Sequence, residues 1–263
     1  MGANTFQIFS ASPRQWRATL PDPAQVARFR ALREKHDLHP LVIHDNYLIN
    51  LAAGDETLRQ KSVETFRGEI GRALIVGAEY LVAHPGNSGG RSVEEGIIAV
   101  VRSLVEAAQG LDTAGLTVLL ENTAGAGAAL GSRFEELAAM KQYVAEFSDL
   151  RIGFCIDTCH LLAAGFDVAN AGGLRSTVAK LDTVLGLANI PVIHTNDSKG
   201  ALGSHVDRHA NIGEGQIGEE GFRRILTHPK LRAKAFILET PHDIPGDDIR
   251  NLEALKRLAK PAR

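Results

Sequence analysis

Nine side chains that can bind a metal ion recur at the ends of short apolar runs in this sequence. His44 closes "LVIHDNY", His84 closes "YLVAHPG", Glu121 closes "TVLLENTAG", and Asp157 with His160 follows in "IGFCIDTCH". His194 closes "PVIHTND", Glu239 closes "AFILETP", and Asp207 and His209 lie in the long loop "SKGALGSHVDRHANIGEG". Taken singly, each has an ordinary explanation: a histidine at a strand end is usually packed or hydrogen-bonded, and a terminal carboxylate usually caps a helix. The recurrence is what needs chemistry, because an ionised carboxylate buried at such a place is costly unless a cation compensates it. Five imidazoles and four carboxylates, with no thiolate required, suit zinc, with manganese or iron as alternatives, far better than calcium or magnesium. Nine ligands exceed one tetrahedral ion; three ions sharing a bridging carboxylate would fit. Four carboxylates against three divalent ions leave the pocket cationic, which suits a phosphate ester.

Gathering residues spread over nearly the whole chain requires elements that point the same way. Expected strands are Thr5–Phe9, Leu41–His44, Tyr80–His84, Thr117–Glu121, Ile152–Asp157, Val192–Thr195 and Ala235–Glu239. Helical patterns lie between and after them, near 24–36, 56–76, 92–110, 133–146, 173–187, 219–228 and 247–258. This β/α alternation implies parallel strands wrapped by helices, and the near-continuous apolar strands imply burial on both faces. The fold class expected is α/β, a TIM-type (β/α) barrel, in which strand C-termini converge on one face. The expected domain is single, spanning 1–263. Seven strands are one short of the usual eight. Gly2 ahead of the first strand reads as the end of a helix–strand loop, so the expectation is a barrel lacking its first strand and helix. Strands near Thr5 and Ala235 would then be open edges.

Bulk properties narrow the class. The chain has 263 residues, 44% hydrophobic and 23% charged, with a net charge of −2, which argues against a wholly basic surface but not a focused nucleic-acid site. No apolar run is long enough to suggest a transmembrane helix, so no membrane partner is expected. Cys155 and Cys159 read as buried structural thiols, and two cysteines make no disulfide framework, so a cytoplasmic setting is expected.

The motifs "HDNYLINL", "HPG", "LLENTAGAG", "CIDTCHLLAAGFD", "HTNDSKGALGSHVDRHANIGEGQIG" and "LETP" resemble, in order and spacing, the successive signatures of the endonuclease IV family. The resemblance runs from Met1 to the final helix. It implies a trinuclear zinc hydrolase acting on abasic DNA, with Mn²⁺ an alternative at one site. His44, His84 and Glu121 would hold the first ion. Glu121 would bridge to a second, completed by Asp157, His194 and Glu239, and His160, Asp207 and His209 would hold the third. Glu121 would orient the attacking water. The implied activities are incision 5′ to the abasic site and trimming of blocked 3′ ends, by a monomer acting on double-stranded DNA. Arg14, Gln15 and Trp16 in "SPRQW", with Tyr47 and Leu48 in "HDNYLI", match the family's DNA-contacting loops; Trp16 and Tyr47 also admit plain packing roles. Metal-dependent sugar isomerases share the barrel and the strand-end carboxylates, but they do not need a third ion.

Overall fold

The structure, a computed structural model, describes residues 2–260. Its strands are β1 (Phe6–Phe9), β2 (Leu41–His44), β3 (Tyr80–Ala83), β4 (Thr117–Glu121), β5 (Ile152–Asp157), β6 (Val192–His194), β7 (Asp197–Ser198), β8 (His209–Ala210) and β9 (Ala235–Ile237). All but β7 and β8 form one parallel sheet in chain order. The helices are α1 (Pro23–Lys35), α2 (Glu56–Val76), α3 (Val93–Ala108), α4 (Phe134–Phe147), α5 (Thr158–Ala163), α6 (Ala171–Val184), α7 (Gly218–Thr227) and α8 (Asp247–Leu258). Among the described residues β1 pairs with β2 alone and β9 with β6 alone, so the ring of strands is open between them. A cavity of about 1070 Å³ lies there, lined by both edge strands and reaching His44, His84 and Glu239.

Local chemistry sets the helix limits. Asp22 caps α1, whose first residue is Pro23. In α2 the Asp55 carboxylate accepts from Leu58 N at 2.7 Å, and the helix stops at Gly77, where φ is 73°. Ser92 and Glu95 form a reciprocal capping box at the start of α3.

Strand periodicity divides the apolar residues into two cores. Leu41, Ile43, Leu81, Val118, Leu120 and Phe154 face the helices in the larger core. Val42, Val82, Leu119, Cys155, Val192 and Ile237 fill the barrel itself, stacked through the parallel register. Full burial of each such aliphatic side chain contributes about 1.5–3 kcal/mol.

Two elements were not foreseen in the sequence. The short helix α5 follows β5 directly, with Asp157 as its cap. A two-residue antiparallel ladder joins β7 to β8 across the long loop. Cys155 and Cys159 are both buried and unpaired.

Candidate metal centre

The inner apolar layer determines where the polar groups go. Side chains two positions apart on a strand share a face. Two residues beyond Val42, Val82, Leu119, Cys155, Val192 and Ile237 stand His44, His84, Glu121, Asp157, His194 and Glu239. All six therefore project into the barrel mouth just above the apolar layer. His160 joins them from α5, and the ladder of β7 with β8 carries His209 and, two residues earlier, Asp207 back over the opening.

Glu121 is fully buried at the middle of this set. Its Oε2 lies 3.3 Å from His44 Nε2 and 3.5 Å from His84 Nε2; its Oε1 lies 3.3 Å from His160 Nδ1 and 3.1 Å from His194 Nδ1. Ligand atoms fall within 4.8 Å of one another in His44–His84–Glu121, in Glu121–Asp157–His194–Glu239 and in His160–Asp207–His209. The nine residues singled out in the sequence thus meet in one pocket.

Three polar atoms there, Glu121 Oε2, His160 Nε2 and His209 Nε2, are buried without a hydrogen-bond partner. Buried polar atoms without partners are rare and call for an explanation, and each of these three faces other members of the nine: Glu121 Oε2 faces His44 and His84, and His160 Nε2 and His209 Nε2 both face Asp207. A nitrogen-and-oxygen donor set of this kind fits zinc or manganese. Cys159 also lies near Asp157 and His209, but burial pushes its thiol up to about 11 and Sγ faces the Arg208 carbonyl at 3.7 Å. The thiol is turned to that carbonyl as a donor, which sets it apart from the nitrogen-and-oxygen set.

Electrostatics point the same way. Burial alone would raise the Glu121 carboxyl, yet the charges of His194 and His84 and hydrogen bonds from His160 and His194 hold it well below the usual range. Burial opposes charge on the imidazoles, but the Glu121 hydrogen bond and neighbouring carboxylates raise His44 to about 9 and lift His160 well above the ordinary histidine value. His84 moves down, with burial dominant. The buried carboxylates thus draw positive charge from the imidazoles, and ligation would exchange those protons for metal charge.

Residues immediately after the ligands hold the frame and were not singled out from sequence. Asn122 Oδ1 accepts from Asp157 N at 2.7 Å; Asn196 donates through Nδ2 to Asp157 Oδ2 at 2.5 Å and accepts from Glu239 N at 2.8 Å. The buried Asp197 carboxylate accepts five backbone N–H groups, from Ser198, Gly213, Gly215, Ile217 and Gly218, at 2.8 to 3.2 Å. Gly215 permits this approach, since a Cβ there would meet Asp197 Oδ1 and Ser198 O at 2.5 Å. The available signal was polar residues directly following each ligand in "LLEN" and "IHTND".

The five residues matched to DNA contacts stand at the rim, outside the three ligand groups. Tyr47 is 60% exposed, its ring 5.2 Å from Phe9 and 6.3 Å from His44, and its N donates to Pro13 O at 3.1 Å. Asn46 reaches the Ser12 and Gln15 carbonyls, which holds the exposed Arg14 and Gln15 beside Tyr47. Trp16 is half-buried beneath Lys61, whose Nζ sits 4.4 Å from the ring centroid. Leu48 is also half-buried, its N bonded to Asn46 Oδ1 at 2.8 Å.

Known proteins share this fold. A family model described as a xylose isomerase-like TIM barrel matches residues 1–259. The probable endonuclease 4 of Solibacter usitatus is 62% identical over 259 residues, 98% of this chain and 89% of that protein. An endonuclease 4 of Thermus thermophilus is 42% identical, over 97% of this chain and 88% of that one. The crystal structure of endonuclease IV from another strain of Thermus thermophilus superimposes with a TM-score of 0.87 at 41% identity, covering 99% of this chain and 91% of that chain. Identity at this level over nearly the full length, on a barrel of the same form, means that this chain belongs to the endonuclease IV family.

Proposed function

We propose that this chain is a DNA-repair endonuclease that hydrolyses the phosphodiester 5′ to abasic sites in double-stranded DNA and trims blocked 3′ ends. The reading rests on one observation: Glu121, fully buried, meets imidazoles on both of its oxygens at the junction of ligand groups that could hold three ions. His44, His84 and Glu121 would hold the first zinc, Glu121, Asp157, His194 and Glu239 the second, and His160, Asp207 and His209 the third, with Mn²⁺ an alternative at one site. When bound, the ions supply Lewis acidity that polarises the phosphoryl oxygens and makes nearby water more acidic.

The protein's own groups do the rest. Glu121, kept ionised by the surrounding imidazoles, can only accept hydrogen bonds, so it orients a water by one of its protons. Asn122 fixes the Asp157 main chain and Asn196 holds its carboxylate against rotation. The ligand pocket is recessed among strand ends, so a phosphate of stacked duplex reaches it best when the damaged nucleotide is turned out of the helix. Arg14 and Gln15 at the rim engage the backbone, Tyr47 with Leu48 fills the space the nucleotide leaves, and Trp16 supports that loop. The protein acts as a monomer.

Incubation with a duplex carrying one abasic analogue, with and without chelator, tests this. The expected result is incision on the 5′ side, lost with chelator and restored by zinc. Binding without incision by zinc-loaded protein would refute it.

A further inference from the structure

Four of the five histidines facing the pocket are held in one of two ways. His44 Nδ1 donates to the Asp45 carbonyl at 3.0 Å, His160 Nδ1 to the Asn122 carbonyl at 2.9 Å, and His209 Nδ1 to the Glu239 carbonyl at 2.9 Å. Each ring is thereby fixed by main chain, with Nε2 left for the pocket. His194 is reversed. Its Nδ1 faces Glu121 Oε1 and Glu239 Oε2, each at 3.1 Å, while its Nε2 meets a side chain, Gln7 Oε1, at 2.8 Å.

Gln7 stands on β1, across the opening from β9, and its amide nitrogen donates to Glu239 Oε1 at 2.6 Å. The donor roles follow from chemistry. A carboxylate only accepts, so the amide nitrogen must face Glu239 and the amide oxygen His194. An amide oxygen also only accepts, so His194 must carry a proton on Nε2. Its Nδ1 faces the two carboxylates, and with Nε2–H held by Gln7 the Nδ1 proton is the one that ligation would replace.

The position is unusual in the barrel. Gln7 pairs with Val42 in the parallel register, and Val42 belongs to the inner layer with Val82, Leu119, Cys155, Val192 and Ile237. Six strands offer an apolar side chain or a thiol at that level, and β1 offers an amide. A filler for the space between edge strands would do better as Leu or Met, because burying an amide costs free energy unless it is bonded.

We propose that Gln7 is a positioning residue that presets two neighbouring ligands, His194 and Glu239, from the opposite edge of the barrel. The inference rests on the metal reading given above. One side chain holds the ring of one ligand and the rotation of the other, so it would govern the ion that both would share.

Gln7→Leu removes both contacts at similar volume. Zinc affinity is read by competition with a chromophoric chelator, and zinc per chain by elemental analysis. The expected result is one ion held about 10- to 100-fold more weakly than in the wild type, the usual cost of removing an outer partner of a ligand, with the remaining ions unchanged. The melting temperature of the metal-free variant should stay near or above that of the wild type, whereas a general loosening of the barrel edge would lower it and weaken all ions together. A second measurement needs no variant: ¹⁵N-histidine spectra of the zinc-loaded wild type should show His194 protonated at Nε2 and bound through Nδ1. Wild-type affinity for every ion in Gln7→Leu, or a proton on His194 Nδ1, overturns the inference and leaves the metal reading standing. A wild-type protein that takes up no metal overturns both.

Discussion

The barrel has a closed sector and an open one, and they hold the candidate ligands differently. On β4, β5 and β6, Glu121, Asp157 and His194 are wholly buried, each strand pairs on both sides, and Asp157 is fixed by Asn122, by Asn196 and by the His160 amide. On the other side, β1 and β9 face each other without pairing among the described residues. The Glu239 side chain is 24% exposed and that of Asp207, in the loop after β7, is 56% exposed. The closed sector sets its ligand geometry through the strand ladder and buried polar groups, which persist with or without metal. The open sector depends on single side-chain contacts and on one loop tied down by Asp197. Precision should therefore be lost first on the open side.

The largest expected effect comes from the closed sector. Glu121→Gln keeps the volume but removes the charge that four imidazoles face. Incision should fall by more than about 10²-fold, the upper range for loss of a mere outer partner, and zinc content should drop. Near wild-type cleavage would remove Glu121 from its central role. Next is the tie between the sectors. Asp197→Ala removes the acceptor of five backbone donors, of which those of Ser198 and Ile217 are buried, at about 1–3 kcal/mol for each donor left unsatisfied. Urea unfolding of the metal-free protein should show a loss of at least about 3 kcal/mol; a change under about 1 kcal/mol would mean the loop holds itself.

Asp207→Ala sharpens the comparison directly. It should release the ion shared with His160 and His209 while the ions in the closed sector stay, as counted by elemental analysis. Uniform loss of all ions would show that the sectors do not act separately. The smallest effect belongs to the rim. Tyr47→Ala should weaken binding to abasic duplex by about 1–3 kcal/mol, the range for one aromatic stacking contact, with zinc content unchanged. Zinc loss in that variant would put Tyr47 inside the ligand shell through His44.

The closed sector was also the more legible one. The expected limits of Leu41–His44, Thr117–Glu121 and Ile152–Asp157 coincide with β2, β4 and β5, because runs free of charged residues up to a closing histidine or carboxylate leave little choice of boundary. At Ala235 the expected strand ran to Glu239, whereas β9 stops at Ile237, since an edge strand has one partner to sustain its ladder. The helix α5 escaped because its six residues are too short for a helical period to show, and its cap, Asp157, already stood out as a candidate ligand. The β7–β8 ladder joins two residue pairs across a ten-residue loop, and no local pattern announces it. Gln7 escaped for another reason: one amide in "FQIF" means nothing until the register with Val42 shows which face it shares.

Zinc counted per chain in the purified protein, after dialysis against buffer with excess metal removed, bears most directly on the claim that nine side chains build one cluster. The predicted value is about three divalent ions per chain, in line with three or four protein ligands for each. A value of one or none, in protein whose fold is intact by circular dichroism, would contradict it.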